Sequence, residues 1–189
     1  MPSISLNTAI AITGLSKRTL WRRIGEGRIL RIEPHAMGED ARLNLDDVLP
    51  LSSLPLEPED RAVIIEADAG DAVAQCELAV ILLTADRARD AVPWMTRAAK
   101  QRYPDAMCYL GRFCLTGEAM PRDEEAGLMW LTQAGDKGHP LGQALAQFLQ
   151  SQEGLALRAA GDQTALDAAL DRVEREVLLR VLQETANPM

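Results

Sequence analysis

The sequence predicts a mainly α protein: a small winged helix-turn-helix domain, a short α-solenoid of two-helix repeats and a C-terminal amphipathic helix. Composition is the first reason. Hydrophobic residues make up 47% of the 189 residues and aromatics only 4%, with Ala and Leu prominent, a balance that favours packed helices over sheet. The other two reasons are a cluster of basic residues near the N-terminus and a set of small-residue and Trp landmarks that recur every 32 to 36 residues. A fixed period of that length signals stacked repeats, and the chain is long enough for one small domain plus a second, helical one.

Several function classes are set aside by composition. No stretch approaches the roughly 18 consecutive apolar residues of a membrane span, and no basic segment leads into an apolar signal core, so a cytoplasmic protein without membrane contact is expected. Cys76, Cys108 and Cys114 are odd in number and lie in apolar helical patterns, which fits reduced core thiols. Only His35 and His139 could join them in a metal site, so no metal and no cofactor is expected. Asp123-Glu124-Glu125 and Asp46-Asp47 sit at helix starts, where carboxylates favour the helix dipole. Gly25-Glu26-Gly27 lacks the lysine of a phosphate loop. No enzyme is predicted.

The net charge is -8, which would argue against nucleic acid if spread evenly. It is segregated instead: Met1 to Ile32 hold six basic residues and one acid, Glu26, for +5, leaving -13 on the remainder. A basic head on an acidic body can approach phosphates with one end only.

Within the head, Leu6 to Ile12 reads as a short helix ended at Thr13-Gly14-Leu15, and a second helix runs from about Lys17 to Gly25. Ser16 is a good N-cap and Gly14 can take the left-handed conformation of a tight turn, while Leu15, Leu20 and Ile24 form the buried side. Lys17, Arg18, Arg22 and Trp21 surround that stripe, on a helix whose N-terminus favours a phosphate oxygen. Trp21 has two open roles, packing on the wing or reaching DNA. RILRIE, the loop PHAMGED and ARLNL then read as a two-stranded wing, followed by a helix start at LDDVL.

The string TAIAITGLSKRTLWRRIGEGRILRIEP with ARLNLDDV resembles the MerR-type and excisionase-like winged helix-turn-helix domains over roughly the first 50 residues. That resemblance implies binding of double-stranded DNA through Ser16, Lys17, Arg18, Thr19, Trp21, Arg22 and Arg23, with Arg28, Arg31 and Arg42 as wing or backbone contacts. The wing loop departs from the pattern in its length and in the acids Glu39-Asp40.

LPLSSLPLEPED, with three prolines, breaks helix propagation and predicts a linker. The expected organisation is a DNA-binding domain over 1–49, a linker over 50–58, repeats over 59–151 and a terminal helix over 152–189. In the repeats, junctions at Gly70, Arg102 and Gly138 are followed four residues on by Ala74, Ala106 and Gly142. Trp94-Met95-Thr96-Arg97-Ala98 answers Trp130-Leu131-Thr132-Gln133-Ala134 at a spacing of 36. Small residues there permit close helix crossings. AMCYLGRFCLTGEAMPRDEEAGLMWLTQAGDKGHP is similar to the Sel-one-like repeats, relatives of tetratricopeptide repeats, on Ala106, Leu110, Gly111, Gly117, Asp123, Ala126, Trp130, Ala134, Gly138 and Pro140. The resemblance implies an adaptor whose concave surface holds an unidentified protein partner. Trp94 and Trp130 are expected in the core.

In the tail, Leu166, Leu170, Val173, Val177, Leu178 and Val181 recur at helical spacing. Such a helix caps the array, or dimerises the chain through Leu170, Val173, Val177, Leu178 and Val181; LDRVEREVLLRVLQETAN resembles the dimer-forming helices of Fis-type domains, which implies a homodimer. The function expected is a transcriptional regulator with a protein-binding body. The alternatives are an interaction adaptor that binds no DNA and an excisionase-like architectural factor.

Overall fold

The computed structural model describes residues 1–32 and 41–186. It is 73% helical, a mainly α protein as the composition predicts, and divides into two compact units, Met1–Ala98 and Ala99–Met189. The predicted wing loop, with His35 and Glu39-Asp40, lies outside the described residues.

The first unit begins with strand β1 (Ser3–Ser5), helix α1 (Leu6–Thr13) and helix α2 (Lys17–Gly25). Local chemistry sets both helix starts: the Ser5 and Ser16 hydroxyls accept the amides of Thr8 and Thr19, at 3.2 and 3.1 Å. Gly14 ends α1 at φ +67°, a conformation that costs glycine nothing and turns the chain into α2 within three residues. Strand β2 (Arg42–Asn44) follows, then α3 (Leu45–Val48) and a 3-10 turn over Leu49–Leu51. The wing differs from expectation. β2 pairs antiparallel with β1, Ser3 opposite Asn44 and Ser5 opposite Arg42, a partner the sequence did not reveal. RILRIE is expected as a full strand; of its described residues, 28–32, Arg31 bridges to Leu43, flanked by hydrogen bonds from Ile32 N to Arg42 O and from Asn44 N to Leu30 O, both 2.9 Å.

Helices α4 (Asp60–Ala69), α5 (Ala72–Thr84) and α6 (Ala88–Lys100) complete the unit, which ends within α6. The proline-rich stretch before α4 is docked rather than free. Ser52 Oγ and Ser53 N donate to Ile12 O at 3.0 and 3.2 Å, and Leu54 is buried. Trp94 is buried as expected, with the Arg97 guanidinium 4.7 Å from its ring.

In the second unit α7 (Pro104–Thr116), α8 (Glu124–Asp136) and α9 (Pro140–Gln150) pack in sequence, followed by α10 (Gln152–Ala160) and the 24-residue α11 (Gln163–Ala186). Glycines set the crossings. A Cβ on Gly111 would lie 3.2 Å from Gly127 O, and one on Gly127 would lie 3.1 Å from Gly111 O, so the α7 and α8 backbones meet there. At the α8–α9 crossing a Cβ on Gly142 would approach the Ala134 Cβ to 2.7 Å. The repeat junctions share one conformation: Gly70, Arg102 and Gly138 all have left-handed backbone, φ +104°, +66° and +85°. Trp130, expected in the core, is only half-buried.

Candidate functional site

Helix α2 gathers the predicted cationic side chains. Its buried anchor is Leu20, with Leu15 and Ile24 half-buried, so the helix lies on its unit by one edge. Ser16, Lys17, Arg18 and Arg22 are exposed on the remainder. Ser16 and Thr19 share a 2.9 Å hydroxyl contact that belongs to the N-cap, so both shape the helix start. Arg22 sits 3.8 Å from Glu26, and Arg28 reaches the same carboxylate at 3.3 Å. Exposed pairs of this kind contribute about 0–1 kcal/mol, little enough to exchange for a phosphate. Arg23 is half-buried, with Nε enclosed. Trp21 is half-buried, its ring 6.0 Å from the Arg31 guanidinium, beside a depression of about 520 Å³ that also takes in Ile24, Ile29 and Leu30.

Arg42 does not belong with these residues. Its guanidinium donates to Asp68 Oδ2 at 2.6 Å, Ser3 O at 2.7 Å and Ser3 Oγ at 3.3 Å. It therefore ties β2 to β1 and α4 instead of facing outward, which corrects its expected role as a DNA contact. Asp68, 2% exposed in its side chain, also accepts from Ser5 N at 3.0 Å and from the Thr8 hydroxyl. Burial pushes this carboxyl upward, but the hydrogen bonds from Ser5 and Thr8 and the Arg42 charge outweigh it and hold Asp68 below the usual carboxylate range.

The second unit carries a groove of about 470 Å³ built on α7, α9 and α11, with Asp105, Tyr109, Arg112 and Phe113 along one side. Those four recur at i, i+4 and i, i+3 on α7; the spacing was visible in the sequence, where only the repeat landmarks were singled out. His139 caps α9: its Nδ1 accepts the Gly142 amide at 3.0 Å, and Nε2 lies 3.3 Å from Asp105 Oδ1. Burial holds this imidazole below its usual range against the opposing pull of Asp105. Arg112 bridges Asp171 (3.1 Å) and Glu174 (2.5 Å) on α11. Burial pushes the Cys108 thiol up to about 12, with Glu174 and Asp105 adding to the shift, so it stays protonated near neutral pH. Cys76 and Cys114 are buried thiols as well. Among the described residues no group of three or more His, Cys, Asp or Glu side chains could hold a metal ion, and no helix is long and apolar enough to cross a membrane.

The proposed dimerisation residues separate along α11. Leu170 is 0% exposed and, with Leu166, belongs to the core of its own unit, which corrects its placement at a surface between subunits. Val173 and Val177 are half-buried. Leu178 and Val181 are exposed, and so are Leu179 and Leu182, which lie outside the helical stripe. Four of the ten large exposed apolar side chains found among the described residues thus fall within five consecutive positions, a patch rather than scatter.

Residues 104–139 match the Sel1 repeat. The match covers α7, α8 and the turn into α9, the segment whose glycine pair sets the crossing. Sel1 repeats are generally non-catalytic protein-interaction modules, and a protein-binding role is the coarse assignment that follows. No curated protein matches the chain.

Proposed function

We propose that the chain is a DNA-binding transcriptional regulator whose head reads double-stranded DNA through α2 and whose helical-repeat body binds a protein partner. The observation that carries the DNA reading is the outward face of α2. Lys17, Arg18 and Arg22 stand exposed on a helix with a Ser-capped N-terminus, and its first acid is Glu26, after its last residue. A short cationic helix held by one edge fits the major groove, where Arg and Lys pair with guanine edges and phosphates. Arg28 and Arg31 flank it on the same unit. Selection of duplexes from a random pool tests the reading: the native chain is expected to enrich a sequence, and Lys17→Ala/Arg18→Ala/Arg22→Ala is expected to enrich none with its helicity unchanged. Equal enrichment by both would remove α2 from the account.

A single module of this size binds weakly at physiological salt, and two-fold sites are the usual remedy. The exposed Leu178, Leu179, Val181 and Leu182 are the surface we assign to self-association. Sedimentation velocity should show a dimer that Leu178→Glu/Leu182→Glu converts to monomer without loss of helicity, because neither side chain is in the core. A native chain that stays monomeric at high micromolar concentration would contradict the assignment.

The adaptor reading draws on the depression beside Trp21. Its apolar lining of Ile24, Ile29 and the exposed Leu30 suits a protein side chain. It predicts no salt-dependent DNA binding.

A further inference from the structure

The groove on α7, α9 and α11 combines an aromatic wall with carboxylates that the fold leaves accessible. Tyr109 is 39% exposed, Phe113 lies beneath it with ring centroids 6.4 Å apart, and Leu141 closes the apolar side. Three carboxylates line the same space, Asp105, Glu118 and Glu174. Among the described residues the guanidinium in the lining is Arg112, which is paired with carboxylates of its own unit. Nε and Nη2 hold Glu174 and Asp171, so its charge is met by two carboxylates of the fold; Nη1 is buried without a hydrogen-bond partner, and the side chain is only 18% exposed. His139 adds no positive charge near neutral pH, because its Nδ1 is occupied as an acceptor and burial disfavours its protonation. The charge that the groove offers an incoming group is therefore negative, over an aromatic floor.

We infer that this groove is the part of the second unit that takes the protein partner, and that it seats an arginine or lysine side chain of that partner over Tyr109, between Asp105 and Glu118. The inference rests on the protein-interaction reading of the Sel1-type unit and adds the chemistry of what is bound. A cation with a long aliphatic stem satisfies both halves of the groove. The stem covers Tyr109 and Leu141, and the head reaches the carboxylates. An acidic side chain would meet the same carboxylates with repulsion, and a purely apolar one would bury them without a counter-charge. Two features sharpen the fit. Glu174 is raised above the usual carboxylate range, by burial first, with Arg112 opposing, so a further cation nearby relieves an existing cost. Asp105 is held at the rim by the Tyr103 hydroxyl at 3.1 Å and by His139, which fixes its direction before binding.

The test uses the full chain labelled with nitrogen-15 and three probes that share one backbone and differ in side-chain charge: the N-acetylated amides of arginine, glutamine and glutamate. Saturable shifts at the Tyr109, Phe113 and Leu141 amides are expected with the arginine probe alone. Tyr109→Ala should weaken that binding about threefold and Glu118→Gln about twofold; both side chains are exposed, so the unit stays folded. The same groove amides responding equally to the glutamate or glutamine probe would overturn the charge assignment and leave the groove as a protein-binding site. Arginine shifts scattered over other acidic surfaces, indifferent to Glu118→Gln, would overturn the groove itself.

Discussion

Gly154→Ala should destabilise the second unit by about 2 kcal/mol although it adds one methyl group. Gly154 lies in the first turn of α10, directly after α9. A Cβ there would stand 2.2 Å from Phe148 O and 2.9 Å from Leu149 Cα. Both are backbone atoms, so no rotamer change can give way. Alanine recovers about 1 kcal/mol of helix propensity, which offsets part of a clash cost that is large because two helix termini must separate. In a chain of this length, 2 kcal/mol corresponds to roughly 4–8 °C of melting temperature. Gly25→Ala is the matched control: with nothing within 4 Å and an ordinary φ, it should leave the midpoint unchanged or slightly raised. Calorimetric scans of the two variants check the pair of outcomes, and equal midpoints would mean that the α9–α10 junction is not packed as described.

The second large effect is expected at Asp68. Replacing it with alanine strands the Ser5 amide, the Thr8 hydroxyl and the Arg42 guanidinium together, and a broken buried ion pair of this kind costs about 3–5 kcal/mol; the partial exposure of Arg42, 31%, lets water recover some of that. A loss of about 3 kcal/mol is expected in the first unit, by denaturant titration. Acid should reproduce part of it. The folded carboxyl lies below its unfolded value, so its contribution is present in full above about pH 5, beyond the unfolded carboxylate value of about 3.9, and is lost as pH falls through the folded one. The native chain should lose stability steadily below about pH 4, and Asp68→Asn should flatten that slope. An unchanged acid limb in the Asn variant would place the acid sensitivity elsewhere.

The parts of this fold that follow from neighbours in sequence were legible there. Ser16 three residues before Thr19, and Gly14 between two apolar runs, define the α1–α2 turn through chemistry that needs no distant partner. The 32- and 36-residue spacing located all three left-handed junctions, even where the residue is Arg102 rather than glycine. Long-range partners were not legible. Strand β1 is three residues long, too short to show a period. Arg42 looks the same in sequence whether it meets a phosphate or an aspartate 26 residues away. The apolar stripe of α11 marked a buried face, but only the fold shows that Leu170 is covered by its own unit while Leu178 is not. The Gly111–Gly127 crossing was half visible: Gly111 stood out as a repeat landmark, and Gly127 did not.

If the exposed cations of α2 hold DNA, as proposed, duplex binding followed by fluorescence anisotropy should depend on salt differently in the native chain and in Arg22→Ala. Released counterions give a slope of about -0.9 per phosphate neutralised. Binding should weaken with salt, and the slope should fall by about one in Arg22→Ala. No binding at low salt, or a slope unaffected by Arg22→Ala, would contradict that proposal and favour a chain whose head, like its body, docks on protein.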